Sequence, residues 1–248
     1  MNIEAIDDVI LSLEDIVSEC EEKGDPLGYF AVLYQKVTIA VKVGVAAGFF
    51  DDGPRMEQLD VVFARRYIEA YFAFRQQNMV TQSWLKAFSV SGSYWPIVLQ
   101  HLLMGMNAHI NLDLGIAAAE VSKGKRMADL EKDFNRINEI LSSLVHEVEG
   151  NLSLVWPALK FILKHTGKVD DYLVNFSMKL ARDGAWKFAN SIAGLSGTEL
   201  EQAIIQRDLK VSIKTAVILN TGIVASVVLK LIRVTEWGSV KSKIRKMR

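Results

Sequence analysis

Residues His101–Ala119, HLLMGMNAHINLDLGIAAA, constrain the fold more than any other stretch of this chain. The run is apolar enough to be buried on every side, yet Asn107, His109, Asn111 and Asp113 all fall within it. A helix that is hydrophobic all round belongs in an interior, where a polar side chain must be paired or must mark a cavity holding water, a metal or a ligand. At about 100° per residue, His101, Gly105, His109 and Asp113 share one arc of such a helix with Leu102, Met106, Leu112 and Ile116. Asn107 and Asn111 stand nearly opposite, again one turn apart. Two polar pairs on two faces predict a buried central helix, near residues 96–121, packed on several sides.

The flanking sequence supplies helices to pack on it. Ile3, Ile6, Val9, Ile10, Leu13, Ile16 and Val17 recur at helical spacing over residues 2–23, with acids opposite, until Gly24, Asp25 and Pro26 stop the pattern. A second helix of low charge runs from Leu27 to about Ala47. Asp51 and Asp52 are capping residues for a third, which has Pro54 in its first turn and places Asp60 and Tyr67 on one face. A short helix near Gln82–Phe88 precedes the central one, and Met127–Glu149 is strongly amphipathic. Further helices are expected from Trp156 to near His165 and over 169–194, where Arg182 and Trp186 lie one turn apart. Ser196, Thr198 and Glu201 make a capping box before two last helices, separated near Asn220–Gly222. The basic residues after Gly238 are expected to fray. No strand pattern or internal repeat is evident. The expected fold is all-α: one compact domain over residues 1–248, a bundle of about eight to ten helices.

Composition narrows the partners. Half of the residues are hydrophobic, and Lys plus Arg match Asp plus Glu at 29 each. With zero net charge there is no overall field to hold nucleic acid or an anionic membrane, so the expected partner is a small molecule, with homo-oligomerisation also open. The lone Cys20 forms no intrachain disulfide and no multi-thiolate zinc site, which suits a reducing, cytoplasmic setting. The first residues, MNIEAIDDVILSLEDIV, carry acids where a secretory signal has bases. The apolar run Ala216–Leu229 falls short of the about 20 residues a membrane span needs and is interrupted at Asn220, Thr221 and Gly222, so no span is expected.

The chemistry centres on His109 and Asp113, whose i,i+4 spacing sets them about 6 Å apart along one helix face. Three arrangements use such a pair. Both residues can hold a divalent metal (zinc, manganese or iron) that activates water for ester or phosphoester hydrolysis, with Asp60 as third ligand or base. His109 can act as a general base oriented by Asp113. Or the two can form a buried hydrogen-bonded connector. His101 lies about 12 Å along the helix from His109, too far to share one ion unless the helix kinks near Gly105 or a second metal is present. Asn107 and Asn111 suit amide ties between helices or a ligand cradle. Arg182 with Trp186 suits a cation–π pair or an anion clamp. His146 and His165 are expected at the surface or at helix ends. No nucleophile elbow, P-loop, dinucleotide fingerprint, HExxH or EF-hand loop is present.

Three segments, FFDD…MEQLDVVFARRYIEAY, LQHLLMGMNAHINLDLGIA and ARDGAWKFA, resemble the signature ERLDVVFANRY, GMNAHINxDL and ARxxAW of a bacterial family known only as a domain of unknown function. The resemblance covers most of the chain. It implies that Asp60, Arg66, Tyr67, Asn107, His109, Asn111, Asp113, Arg182 and Trp186 occupy signature positions, and it supplies no activity. The HxxxD pair on a central helix is also similar to the all-α zinc-dependent phospholipase C and single-strand nuclease superfamily. That pattern departs here, since its N-terminal Trp ligand and HxxxE are missing. It implies at most a mono- or dinuclear site using His109, Asp113 and Asp60 or His101. Two functions follow as expectations: a metal-assisted hydrolase with Asp60, His109 and Asp113 at its centre, or a non-catalytic helical protein. In the second, Arg66, Tyr67, His101, Asn107, Asn111 and Arg182 help to line a polar network or small-molecule pocket.

Overall fold

The computed structural model describes residues 3–155, 178–219 and 222–248, with backbone alone for 142–155, 216, 222–225 and 228. The helix expected from Trp156, His165 and the side chain of His146 lie outside the described residues. Every regular element among the described residues is helical. In chain order they are α1 (Ile6–Lys23), α2 (Gly28–Ala46), α3 (Gly53–Arg75), α4 (Gln82–Ser89) and α5 (Val98–Ala108). A π-helical turn, His109–Asp113, joins α5 to α6 (Leu114–Glu120). Then follow α7 (Ala128–Val155), α8 (Met178–Ile192), α9 (Gly197–Leu219), α10 (Gly222–Thr235) and α11 (Val240–Met247).

Local chemistry sets the ends. Asp8 accepts from the Glu4 and Ala5 N–H groups at the start of α1, and Gly24 ends that helix at φ 65°, a backbone conformation that costs glycine little. Asp52 caps α3 by accepting from Arg55 N–H at 3.1 Å. Asp51, expected to share that role, instead pairs with Lys132 and Arg136. Its cap is supplied from α7, where the buried Asp133 accepts from the N–H groups of both Asp51 and Asp52. The tail expected to fray is ordered as α11. Ser239 caps it, and Lys243 reaches the buried Glu236 at 2.9 Å, while Arg245 and Arg248 reach Glu21.

Helices α5 and α6 run as one rod through two apolar cores. Leu102, Leu103, Met104 and Ala108 pack into the first, with Leu13, Ile16, Tyr67 and Trp84. Ile110, Leu112, Leu114 and Ile116 pack into the second, with Met56, Leu59, Phe134 and Ala185. The rod is buried on several sides, as the distribution of its polar pairs predicts. Among the described residues α2 alone is long and apolar enough to cross a membrane; it packs against α1, α3 and α5 and buries Gln35 and Thr38.

Two glycines set how closely neighbours approach the rod. A Cβ on Gly105 would lie 2.5 Å from Phe30 Cγ, and one on Gly115 would lie 2.9 Å from the Ala185 carbonyl oxygen. Alanine at either site gains about 1 kcal/mol of helix propensity but introduces an overlap that costs about 1–3 kcal/mol. Gly115→Ala faces backbone, which cannot swing aside, whereas Gly105→Ala faces a ring. Thermal melts are expected to show lower Tm for both, by about 2–4 °C per kcal/mol in a chain of this size, with the larger loss at Gly115.

Candidate functional site

The π turn lies where the sequence concentrates its polarity. Leu114 N–H bonds the His109 carbonyl five residues back, so the turn is wider than an α-turn and holds one extra residue. Arg207 from α9 donates through Nε to the Asn111 carbonyl at 2.7 Å, tying the widened turn to its neighbour. Such insertions are frequent at functional sites.

Asp113 sits at the end of this turn with no exposure. Its Oδ1 accepts from Arg66 Nε at 2.8 Å, and its Oδ2 accepts from Trp84 Nε1 at 2.8 Å and faces His109 Nδ1 at 3.3 Å. Burial pushes this carboxyl upward, but the Arg66 charge and the His109 and Trp84 hydrogen bonds outweigh it and hold the group below its usual range. Burial lowers His109, with Asp113 pulling the other way, so the imidazole is neutral. A neutral ring that donates from Nδ1 to Asp113 leaves a lone pair on Nε2.

That lone pair has no partner among the described residues. The His109 ring stacks on Phe63 at 3.5 Å and 8°, and the Tyr34 ring meets it edge-on at 4.4 Å. Phe30, Tyr67 and Trp84 complete the box, with centroids at 5.8, 6.0 and 5.9 Å. Buried side-chain atoms without a hydrogen bond concentrate on the same elements: Tyr34 Oη and Thr38 Oγ1 on α2, Asp60 Oδ2 and Tyr67 Oη on α3, and His109 Nε2. Outside this group only Arg55 Nε and Arg182 Nε are in that state among the described residues. Burial, reinforced by the Asp60 and Asp113 charges, raises the Tyr34 hydroxyl well above its ordinary pKa, and the Thr38 hydroxyl opposes this weakly. Burial, with Glu57 adding, pushes Asp60 up to about 7. Beside this group a cavity of about 10 Å³, about the space one water needs, lies between Phe30, Tyr67, Trp84, His101 and Gly105.

The other expected site residues are spread around this centre. Asn107 donates to the Val211 carbonyl and to Thr215 Oγ1, and Asn111 donates to Asn107 Oδ1, so the amide pair grips α9. His101 is buried against Tyr29 at the far end of α5, where burial, with Arg233 and Lys243 adding, lowers it to about 4. Arg182 does not pair with Trp186. Its guanidinium lies 4.6 Å over Phe134 and donates to the Phe134 carbonyl, while Trp186 packs on the same ring at 4.8 Å. Trp84, Phe63, Tyr34 and Thr38 are additions that sequence reasoning missed. Phe63 shares a face with Asp60 and Tyr67, and Tyr34 shares one with Thr38, so helical spacing carried a signal for these; nothing local marked Trp84.

The donor set does not fit a divalent cation. Both Asp113 oxygens accept from other groups, one of them from a guanidinium, and the free imidazole nitrogen is walled by rings. No cluster of three or more His, Cys, Asp or Glu side chains suited to a metal occurs among the described residues. Asp60 stands apart from the pair as an acid that burial lifts to about 7.

A family model described as "Family of unknown function (DUF5995)" matches residues 6–221. No curated protein and no solved structure matches the chain, so the likeness to the phospholipase C and nuclease superfamily gains no support.

Asp60 gives the site a pH signature. Its folded-state pKa of about 7 exceeds the unfolded value of about 3.9, so its contribution to stability is full below pH 4 and is lost as pH rises to 7. His101 and His109, lowered in the folded state, act with the opposite sign as pH falls below about 6.5. Comparison with a variant isolates the carboxyl. Asp60→Asn is expected to exceed wild type in stability by roughly 3–4 kcal/mol at pH 8, with the gap closing toward pH 4, in urea melts across that range.

Proposed function

The chain belongs to the family of unknown function matched over residues 6–221, and we propose that it binds a small, uncharged, hydrogen-bonding molecule beside His109. The observation that carries this reading is a set of buried polar atoms on α2, α3 and the π turn: Asp60 Oδ2, Tyr67 Oη and His109 Nε2 are unpaired among the described residues, and the Tyr34 and Thr38 hydroxyls have only each other. Each such atom costs about 1–3 kcal/mol if left unmatched, so their presence on the elements around His109 favours an occupant that bonds to those within its reach. The inventory is mixed. His109 Nε2 accepts; Tyr34, Thr38 and Tyr67 hydroxyls donate or accept; the Asp60 carboxyl, protonated below about pH 7, does both.

Charge selects against ions. Asp113 is balanced by Arg66, and His109 is neutral, so the group offers a cation or an anion no net counter-charge. Aromatic walls favour an occupant with a flat or apolar face. The metal-assisted hydrolase ranks below this reading because the oxygens it needs on Asp113 are already engaged. One observation favours a second reading: Asp113 fixes the tautomer that leaves Nε2 basic, which would let His109 take a proton from an acidic occupant.

His109→Phe tests the binding reading, since phenylalanine keeps the stack on Phe63 and deletes the unpaired nitrogen. The substitution also removes the Nδ1 donor to Asp113, so the variant alone is expected to melt below wild type, by about 1–3 kcal/mol, and the ligand-induced shift is the binding readout. In a thermal-shift screen of small uncharged amides, alcohols and azoles, hits are expected to stabilise wild type, by about 2.7 kcal/mol at one hundred times Kd, and to leave the variant unmoved. A variant weakened by several kcal/mol, with no compound shifting wild type, would make the pair a structural connector instead.

A further inference from the structure

From Ile205 to Thr235 the outer faces of α9 and α10 are apolar and carry no exposed negative charge, while Glu199 and Glu201 stand exposed at the start of α9. Between Gln202 and Thr235 the sole carboxylate is Asp208, against the cations Arg207, Lys210, Lys214, Lys230 and Arg233. Asp208 is buried and caps α4, accepting from the Gln82 and Ser83 N–H groups at 2.6 and 2.9 Å. From Ile205 to Thr235 every exposed charge on the two helices is therefore positive. On α9, Ile205, Leu209, Ile213 and Val217 follow one another at one-turn spacing with 49–65% of their surface exposed, and exposed Lys210 and Lys214 flank them. On α10, Val227, Leu231 and Val234 are 54–69% exposed. An aromatic edge joins this second face: Lys230 lies 5.4 Å over Trp95 and Arg233 lies 4.7 Å over Tyr94, with both rings exposed.

We propose that these faces lie on an anionic lipid surface. Exposed aliphatic side chains at helical spacing, edged by tryptophan and tyrosine and, beyond Glu201, by lysine alone among the exposed charges, match an amphipathic helix lying in the headgroup plane. At 14 residues α10 is too short to span a bilayer that needs about 20, and α9, with 23, is not apolar enough to cross one, so the helices rest on the surface. Charge argues against a second copy as the occupant. A twofold contact sets a patch against itself and would bring Lys210, Lys214 and Lys230 of one protomer toward the same residues of its partner. The proposal stands independently of the pocket beside His109.

Vesicle co-sedimentation of the full chain tests it. With three exposed lysines each contributing about fivefold, binding to vesicles of phosphatidylcholine with phosphatidylglycerol is expected to exceed binding to phosphatidylcholine alone by about a hundredfold at low salt. Lys210→Glu with Lys214→Glu should remove most of that selectivity. Ile213→Glu with Leu231→Glu, both at exposed positions, should weaken binding by about tenfold or more with an unchanged circular dichroism melt. Protein that stays in the supernatant with both vesicle types overturns the proposal. So does equal binding to both types that the lysine variants leave unmoved. A concentration-dependent dimer in sedimentation velocity, abolished by Ile213→Glu with Leu231→Glu, overturns it in favour of a second copy.

Discussion

The Asp113 carboxylate is the interaction on which the middle of the molecule depends. A charge with no exposure is tolerated only when its lone pairs are matched, and here three donors converge on it from three elements: Arg66 from α3, Trp84 from α4 and His109 from the π turn. Each donor locates its own helix against the central rod. Arg66 also places the balancing charge, and its side chain is 27% exposed, so the cation keeps part of its hydration while the anion has none. The charge pair is thus asymmetric, with its costly half fixed at the centre and its tolerant half at the edge. Burying Asp113 without Arg66 would leave two neutral donors to carry a full charge, which is the arrangement that most destabilises an interior.

His109 gains its character from this arrangement. With Nδ1 committed to Asp113 and the ring clamped on Phe63, neither the tautomer nor the orientation is free. What remains is one acceptor among aromatic rings, on elements that also carry the unpaired Tyr67 hydroxyl and the Asp60 carboxyl raised to about 7. An occupant meeting such a group pays little reorganisation, because rings and helices already hold the partners. The same rigidity explains the closeness of Gly105 and Gly115 to their neighbours, since a rod shared by two cores is located from both sides.

Periodicity made most of this fold legible. The stripe on α1, the low charge of α2, the shared face of Asp60 and Tyr67 and the buried rod all follow from spacing within single helices. The pairing of His109 with Asp113 was legible for the same reason. What spacing hides is contact between helices. Arg182 and Trp186 lie one turn apart and look like partners, yet both turn to Phe134 on α7. The basic tail looks frayed until Glu21 and Glu236, far away in sequence, are brought to it. Trp84 carries no local sign that its indole N–H ends on Asp113. The π turn is hidden differently: one inserted residue leaves the hydrophobic pattern nearly unchanged while shifting the direction of every side chain in the turn.

Helix α9 connects the interior to the outer face. Its inner side accepts the Asn107 amide at the Val211 carbonyl and at Thr215 Oγ1, and its Arg207 bonds the Asn111 carbonyl inside the π turn. Its outer side carries the exposed aliphatic stripe. These faces follow from one sequence with two apolar registers, one ending in polar ties and the other in lysines, so neither can be altered by a shift of the helix without altering the other. A displacement of α9 along its axis by one residue, about 1.5 Å, would carry the Arg207 and Asn107 bonds beyond ordinary hydrogen-bond length. Whatever rests on the outer face of α9 therefore acts on a helix whose position the central site already specifies to within a fraction of a turn.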